Sequence, residues 1–75
     1  MQPIRFELDA QHEHVELNQL LKLVGLCDSG GAGKAMVASG VVRVDGQVEL
    51  RKTCKIRAGQ TVACEGVTIE VAAGA

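Results

Sequence analysis

Apolar and polar positions alternate with two different periods along the chain, and each period predicts an element. In residues 4–8, apolar residues alternate with charged ones, which is typical of a short strand with one buried face. A polar connector, residues 9–13, leads to residues 15–24, whose apolar positions recur at helical spacing and predict a first helix. The polar residues off its apolar stripe are Asn18, Gln19 and Lys22. Gly25 can end this helix in the left-handed conformation that glycine tolerates best.

A second, shorter helix is predicted over about residues 31–39. Asp28 or Ser29 can cap it by accepting hydrogen bonds from its first free N–H groups, and Gly40 is expected to end it. Its buried side is expected to consist of Ala32, Ala35 and Met36. Two glycines inside this helix weaken it by about 1 kcal/mol each relative to alanine. They indicate close packing, or the close approach of a ligand backbone, or simply a helix that tertiary contacts hold.

The second half of the chain has the pattern of short strands joined by tight turns. Strands are predicted at residues 41–44, 47–50, 61–64 and 67–71. Asp45-Gly46 favours a type I′ hairpin turn, which needs a positive φ at both central positions, and Glu65-Gly66 is a second turn. Residues 54–57 also alternate, with both charges on one face. The predicted fold class is α+β, with two helices packed on one small antiparallel sheet in the order β-α-α-β-β-β-β.

Length and composition agree with one small globular domain, residues 1–75. The apolar fraction of 47% is ordinary for a folded protein, so disorder is not expected. The N-terminal residues do not resemble a signal peptide, and no segment is long enough to span a membrane. Three cysteines without a close pair favour free thiols in a reducing cytosol, so a cytoplasmic protein is expected.

Positive charge is concentrated in residues 29–57. This segment holds six of the eight lysines and arginines and only two acidic residues, so its net charge is +4, whereas the rest of the chain carries −5. The six basic residues are Lys34, Arg43, Arg51, Lys52, Lys55 and Arg57. Such asymmetry in a small domain is typical of a nucleic-acid-binding face, and we predict that these six side chains contact phosphates and sugars.

Aromatic residues are nearly absent, which restricts how a nucleic acid can be recognised. Phe6 is the only one, and the chain has no Trp or Tyr. Proteins that bind single strands usually stack bases on aromatic side chains. We therefore expect the protein to recognise any RNA that it binds through the backbone and the shape of the RNA.

Two kinds of chemistry are tested by spacing and rejected. Lys34 follows a glycine-rich stretch, but a phosphate loop needs glycine at position 28 and Ser or Thr at position 35, where the chain has Asp28 and Ala35. His12 and His14 lack the spacing of a metal site, so neither a metal nor another cofactor is expected. The cysteines are expected to be structural, although either histidine can fold next to one of them. We predict that the protein is not an enzyme and takes no small-molecule substrate.

Several of these features, in this order and spacing, resemble the S-four RNA-binding domain, also called the alpha-L motif. The family pattern is a Leu-rich helix, a Ser-started helix ending in Gly, a Val-x-Val-(Asn/Asp)-Gly hairpin, a basic segment and a Gly-(Asp/Gln) turn before a Val strand. The matching parts are residues 17–24, 29–40, 42–46, 51–57 and 59–62, and the match covers residues 14–72. The family often has Arg after the Ser and further Arg in the second helix. Here Gly30 follows Ser29, and Lys34 is the only base in that helix.

The resemblance implies a non-catalytic protein that binds structured RNA, with ribosomal and transfer RNA as candidates, in the bacterial cytoplasm. An adaptor that uses the same fold to bind a protein or the ribosome, without touching RNA, is the alternative. A ubiquitin-like sulfur carrier is less compatible with the sequence, because such carriers need a Gly-Gly terminus and this chain ends Ala73-Gly74-Ala75.

Overall fold

The computed structural model describes residues 3–74, which form two helices and seven short strands. The elements are β1 (Ile4–Glu7), β2 (His14–Glu16), α1 (Leu17–Leu23), α2 (Gly30–Ala38), β3 (Val42–Val44), β4 (Gln47–Val48), β5 (Lys55–Arg57), β6 (Thr61–Cys64) and β7 (Val67–Ala72). Five strands form one sheet in the order β1-β7-β6-β3-β4, and β2 pairs with β5 in a second, two-stranded sheet.

Both helices contribute to the same hydrophobic core as the strands. Leu17, Leu20 and Leu21 of α1 are completely buried, as is Val37 of α2. The buried strand residues of this core are Val42, Ile56, Val62, Cys64, Ile69 and Val71. The core therefore lies between the helix pair and the strands, as expected for a small α+β domain.

The α+β class with two helices is confirmed, and the predicted Asp45-Gly46 turn has the expected geometry. Asp45 has a φ of 51° and Gly46 a φ of 85°. These are the two positive values that a type I′ turn requires. Strands β3 and β4, β3 and β6, and β6 and β7 all pair antiparallel, as predicted.

The structure differs from the prediction in its strand pairing. Residues 14–16 form the additional strand β2, so α1 begins at Leu17 and not at residue 15. Val15 lies opposite the buried Ile56 in the register of β2 and β5, a pairing about forty residues apart in sequence. In the five-stranded sheet, the edge strand β1 pairs parallel with β7, so this sheet is mixed. The predicted order thus lacks two strands, β2 and β5. Val15 fits a helical and an alternating pattern equally well, and residues 54–57 alternate but are not among the strands of the predicted order.

Two residues of the helices lie differently from their predicted places. Asn18, predicted on the polar side of α1, is buried with 2% of its surface exposed, because α2 covers that side of the helix. Ala35, predicted in the buried side of α2, is exposed, and Gly33 and Val37 are the buried residues there. Gly33 lets α2 lie close against α1, so the side of α2 that carries Gly33 and Val37 is the buried one.

Candidate nucleic-acid interface

Four of the six predicted basic residues surround one open depression on the surface. Lys34 comes from α2, and Arg51, Lys52 and Lys55 come from the segment that leads into β5. The depression has a volume of about 720 Å³, and Thr53 and Cys54 complete its lining. All three lysines are exposed and form no ion pair within residues 3–74. Two segments of the chain thus form one positively charged concave surface, which we call the basic depression.

The N-terminus of α1 holds the basic segment in place. The helix begins after Glu16 without a side-chain cap, so its first N–H groups need other acceptors. Leu17 donates its N–H to the carbonyl oxygen of Cys54 at 2.8 Å, and Asn18 donates to the carbonyl oxygen of Lys52 at 3.1 Å. These bonds satisfy the helix and fix the backbone that carries Lys52 and Lys55.

The peptide of Asn18 also fixes the position of α2. A Cβ atom at position 33 would lie only 2.5 Å from the carbonyl oxygen of Asn18, so only glycine permits this approach. The Asn18 side chain donates through Nδ2 to the carbonyl oxygen of Gly30 at 3.5 Å, and within residues 3–74 its buried Oδ1 has no hydrogen-bond partner. Lys34 is the residue after the contact glycine. One residue of α1 therefore joins both parts of the basic depression.

Ser29 caps α2 at the end that carries Lys34. Its hydroxyl oxygen accepts a hydrogen bond from the N–H of Ala32 at 3.1 Å. This selects one of the two predicted caps, Asp28 or Ser29. A cap of this kind stabilises the first turn of the helix, and Lys34 follows directly after that turn.

Arg51 differs from the lysines, because Glu49 binds its guanidinium group. The Nε and Nη2 atoms of Arg51 donate to the two carboxylate oxygens of Glu49 at 3.0 and 2.9 Å. The backbone N–H of Arg51 donates to the same carboxylate at 2.9 Å. These hydrogen bonds lower the pKa of Glu49 to about 2 and raise the pKa of Arg51 above its usual value. Glu49 is therefore ionised at neutral pH, and the pair as a whole is neutral.

The two remaining predicted residues lie outside the basic depression. Arg43 is at the centre of β3, on the face opposite the buried Val42, and lines a separate hollow of about 230 Å³ with Ala63 and Thr68. Arg57 shares the exposed face of β5 with Lys55, but its Nη1 lies 3.9 Å from a carboxylate oxygen of Glu13. The six predicted basic residues are thus distributed over three places on the surface.

Sequence reasoning missed Thr53 in the lining of the basic depression, and it missed Glu49 and Asn18 as residues that hold its parts in place. The Glu-x-Arg spacing after a strand was the available signal for the Glu49–Arg51 pair. No local signal identifies Asn18, because its role depends on the packing of α1 against α2 and the basic segment. Contact between the six predicted residues and RNA stays a prediction.

No group of three or more His, Cys, Asp and Glu side chains within residues 3–74 is arranged to hold a metal ion. Neither described helix is both long and apolar enough to cross a membrane.

Residues 6–72 match the S4 domain family. The protein YbcJ of Escherichia coli strain K12 is 54% identical over 63 residues, which cover 84% of this chain and 90% of YbcJ. YbcJ of Shigella flexneri has the same identity and coverage, and is named as uncharacterized.

The fold is also similar to a solved structure. The solution structure of YbcJ from E. coli matches with a TM-score of 0.72 and 49% identity over 96% of this chain and 90% of that protein. That structure is described as revealing an alfaL motif involved in RNA-binding.

Proposed function

The chain belongs to the S4 (S-four) domain family, and we propose that it is a non-catalytic protein that binds structured RNA through phosphates and shape. The observation that carries the proposal is the basic depression, in which Lys34 of one helix meets Lys52 and Lys55 of a distant segment. The E. coli relative whose structure is described as an RNA-binding motif supports the same function. The proposal treats residues 1–75 as one domain, with 14–72 as the motif.

In this proposal the lysines of the depression neutralise phosphates of one bent or folded RNA backbone. Their ammonium groups are exposed and free of carboxylates within the described part of the chain, so a phosphate need not displace a partner. Thr53 adds a hydroxyl group beside them that can donate to a phosphate or a 2′-OH. Arg43 and Arg57 add positive potential around this centre, and Arg57 first has to leave Glu13, whereas Glu49 neutralises Arg51.

Recognition through shape agrees with the composition of the depression. Its lining contains no aromatic side chain, and Phe6 packs against the core from β1. Bases therefore have no ring to stack on there, and sequence reading through splayed bases is disfavoured. A structured RNA with closely spaced phosphates suits such a surface, and ribosomal and transfer RNA remain the candidate ligands.

The thiol of the depression favours binding without chemistry. Burial and the nearby carboxylate of Glu49 raise the pKa of Cys54, and burial raises that of Cys64. Both groups are therefore neutral thiols at physiological pH, whereas a nucleophilic cysteine is a thiolate. The three free cysteines also favour the cytoplasm as the location, because thiols persist in a reducing compartment.

Fluorescence anisotropy of a labelled RNA stem-loop between roughly 50 and 200 mM salt tests the proposal. Neutralising about three to five phosphates predicts a slope of log K against log salt of about −2 to −4. A Lys52→Gln/Lys55→Gln variant should bind more weakly and reduce the size of that slope by about 1.4 to 1.8, since two contacts are lost.

The matched control is Arg5→Gln/Lys22→Gln, which removes two positive charges outside the depression. It should keep nearly the wild-type slope. A wild-type slope near zero contradicts the proposal, and so does an equal loss of binding in both variants. The first result favours the adaptor that binds a protein without RNA contact, and the second indicates that RNA binding follows the overall charge and not the depression.

A further inference from the structure

Three of the four basic residues around the depression are free cations, whereas the fourth is neutralised within the chain. Lys34, Lys52 and Lys55 have no acidic partner within residues 3–74. Arg51 is held by both carboxylate oxygens of Glu49. The carboxylate of Glu49 binds the guanidinium group of Arg51 in the same bidentate geometry that a phosphate would use.

This pair is built into the fold more firmly than an ordinary surface ion pair. Only 17% of the Glu49 side chain is exposed, against 77% of the Arg51 side chain. Glu49 also accepts the backbone N–H of Arg51, and its own N–H donates to the carbonyl oxygen of Val42 in β3. The acid is therefore fixed at the end of the hairpin, and the arginine binds to it.

We infer that Glu49 is a specificity-determining residue that limits the positive charge of the RNA site by occupying Arg51. This inference rests on the proposed function. Non-specific affinity for phosphate-rich polymers increases with the number of free cations. A site with three free cations and one neutral pair binds any polyanion less tightly, so the fit of a ligand to the depression contributes a larger share of its affinity.

The substitution Glu49→Gln tests this inference with little change in shape. Glutamine keeps a side-chain oxygen that can accept the Arg51 N–H, but it removes the charge and one of the two guanidinium acceptors. Arg51 then becomes available to a phosphate. One additional phosphate contact steepens the salt slope of Glu49→Gln by about 0.7 to 0.9. Lowering the salt from 1 M to 0.1 M should therefore tighten its binding about five- to eightfold more than that of the wild type.

The double variant Glu49→Gln/Arg51→Gln separates charge from orientation. If Glu49 acts by neutralising Arg51, removing both groups leaves the net charge unchanged, and the double variant binds the stem-loop within about twofold of the wild type. If Glu49 instead orients Arg51 toward RNA, Glu49→Gln weakens binding, and the double variant loses affinity as strongly as Arg51→Gln alone. The second pattern overturns the inference.

Two further measurements complete the design. Glu70→Gln is the control, because it removes one negative charge from the exposed face of β7 and should change the affinity less than twofold. Direct titration with inorganic polyphosphate should give tighter binding to Glu49→Gln than to the wild type, and equal affinities contradict the inference.

The failure of the inference and that of the proposed function are distinguishable. If the wild type shows no salt-dependent binding to the stem-loop, both are wrong. If the wild type binds with the expected slope and Glu49→Gln has the same slope and affinity, only the role of Glu49 is wrong.

Discussion

Replacing Gly33 with alanine measures how closely the two helices must approach to form the basic depression. The new Cβ would lie 2.5 Å from the carbonyl oxygen of Asn18 and 3.2 Å from both its carbonyl carbon and its Cα. All three atoms belong to the backbone of α1, so no side-chain rotation can relieve the overlap. The helices must therefore move apart.

The expected loss follows from two opposing effects. Alanine is about 1 kcal/mol better than glycine inside a helix. Overpacking a close contact costs about 1–3 kcal/mol, and a rigid backbone neighbour favours the upper end of that range. We expect Gly33→Ala to lower the free energy of unfolding by about 2 kcal/mol, a large part of the total for a 75-residue domain.

Urea titration and thermal unfolding, both followed by circular dichroism, measure this loss. For a domain of this size, about 2 kcal/mol lowers Tm by roughly 8–16 °C. The control is Gly31→Ala in the same helix, where the new Cβ would meet only the hydroxyl oxygen of Ser29 at 3.8 Å. That variant gains the higher helix preference of alanine without an overlap with the α1 backbone, so its Tm should rise by a few degrees.

The two alanine variants should thus change the stability in opposite directions. A Gly33→Ala protein as stable as the wild type, or as stable as Gly31→Ala, refutes the argument that backbone contact at Asn18 requires glycine. If the loss occurs as expected, Gly33→Ala should also weaken RNA binding, because Lys34 moves away from Lys52.

Two more predictions concern the cap and the ion pair at the site. Ser29→Ala removes the acceptor for the Ala32 N–H and should cost about 1 kcal/mol in urea titration, whereas Ser29→Asp, which keeps an acceptor, should cost much less; equal losses in the two variants would show that the cap is unimportant. The pKa of Glu49 is about 2 in the folded protein and 4.5 without its partners, so its contribution to stability is complete above pH 4.5 and disappears as the pH falls toward 2. Urea titrations from pH 6 to 2 should show a smaller decline for Glu49→Gln than for the wild type, and identical pH profiles would contradict the assigned pKa.

Features set by neighbouring residues were predictable from the sequence. The Asp45-Gly46 turn, Ser29 as one of two possible caps and glycines 25 and 40 after the helices depend on conformations that these residues favour locally. The fold class was predictable because the helical and alternating patterns occupy separate parts of the chain. The segment rich in basic residues was visible for the same reason, since charge is read directly from the sequence.

Other features depended on which distant segments pack together. Strand β2 forms by pairing with β5, where Val15 lies opposite Ile56. Strand β1 pairs with β7, which lies more than sixty residues later in the chain, and runs parallel to it. Asn18 is buried because α2 covers it, although its place on α1 is compatible with a polar side. Each of these contacts competes with alternatives that satisfy the local pattern equally well.

The candidate site divides in the same way. A basic segment, few aromatic residues and a helix that carries Lys34 can be read from the sequence alone. The packing of the folded chain is what places Lys34 beside Lys52 and Lys55, puts Arg43 elsewhere and lets Glu49 neutralise Arg51. The physical reason is range: turns, caps and charge depend on residues a few positions apart, whereas a binding surface depends on the packing of segments that only the completed core brings together.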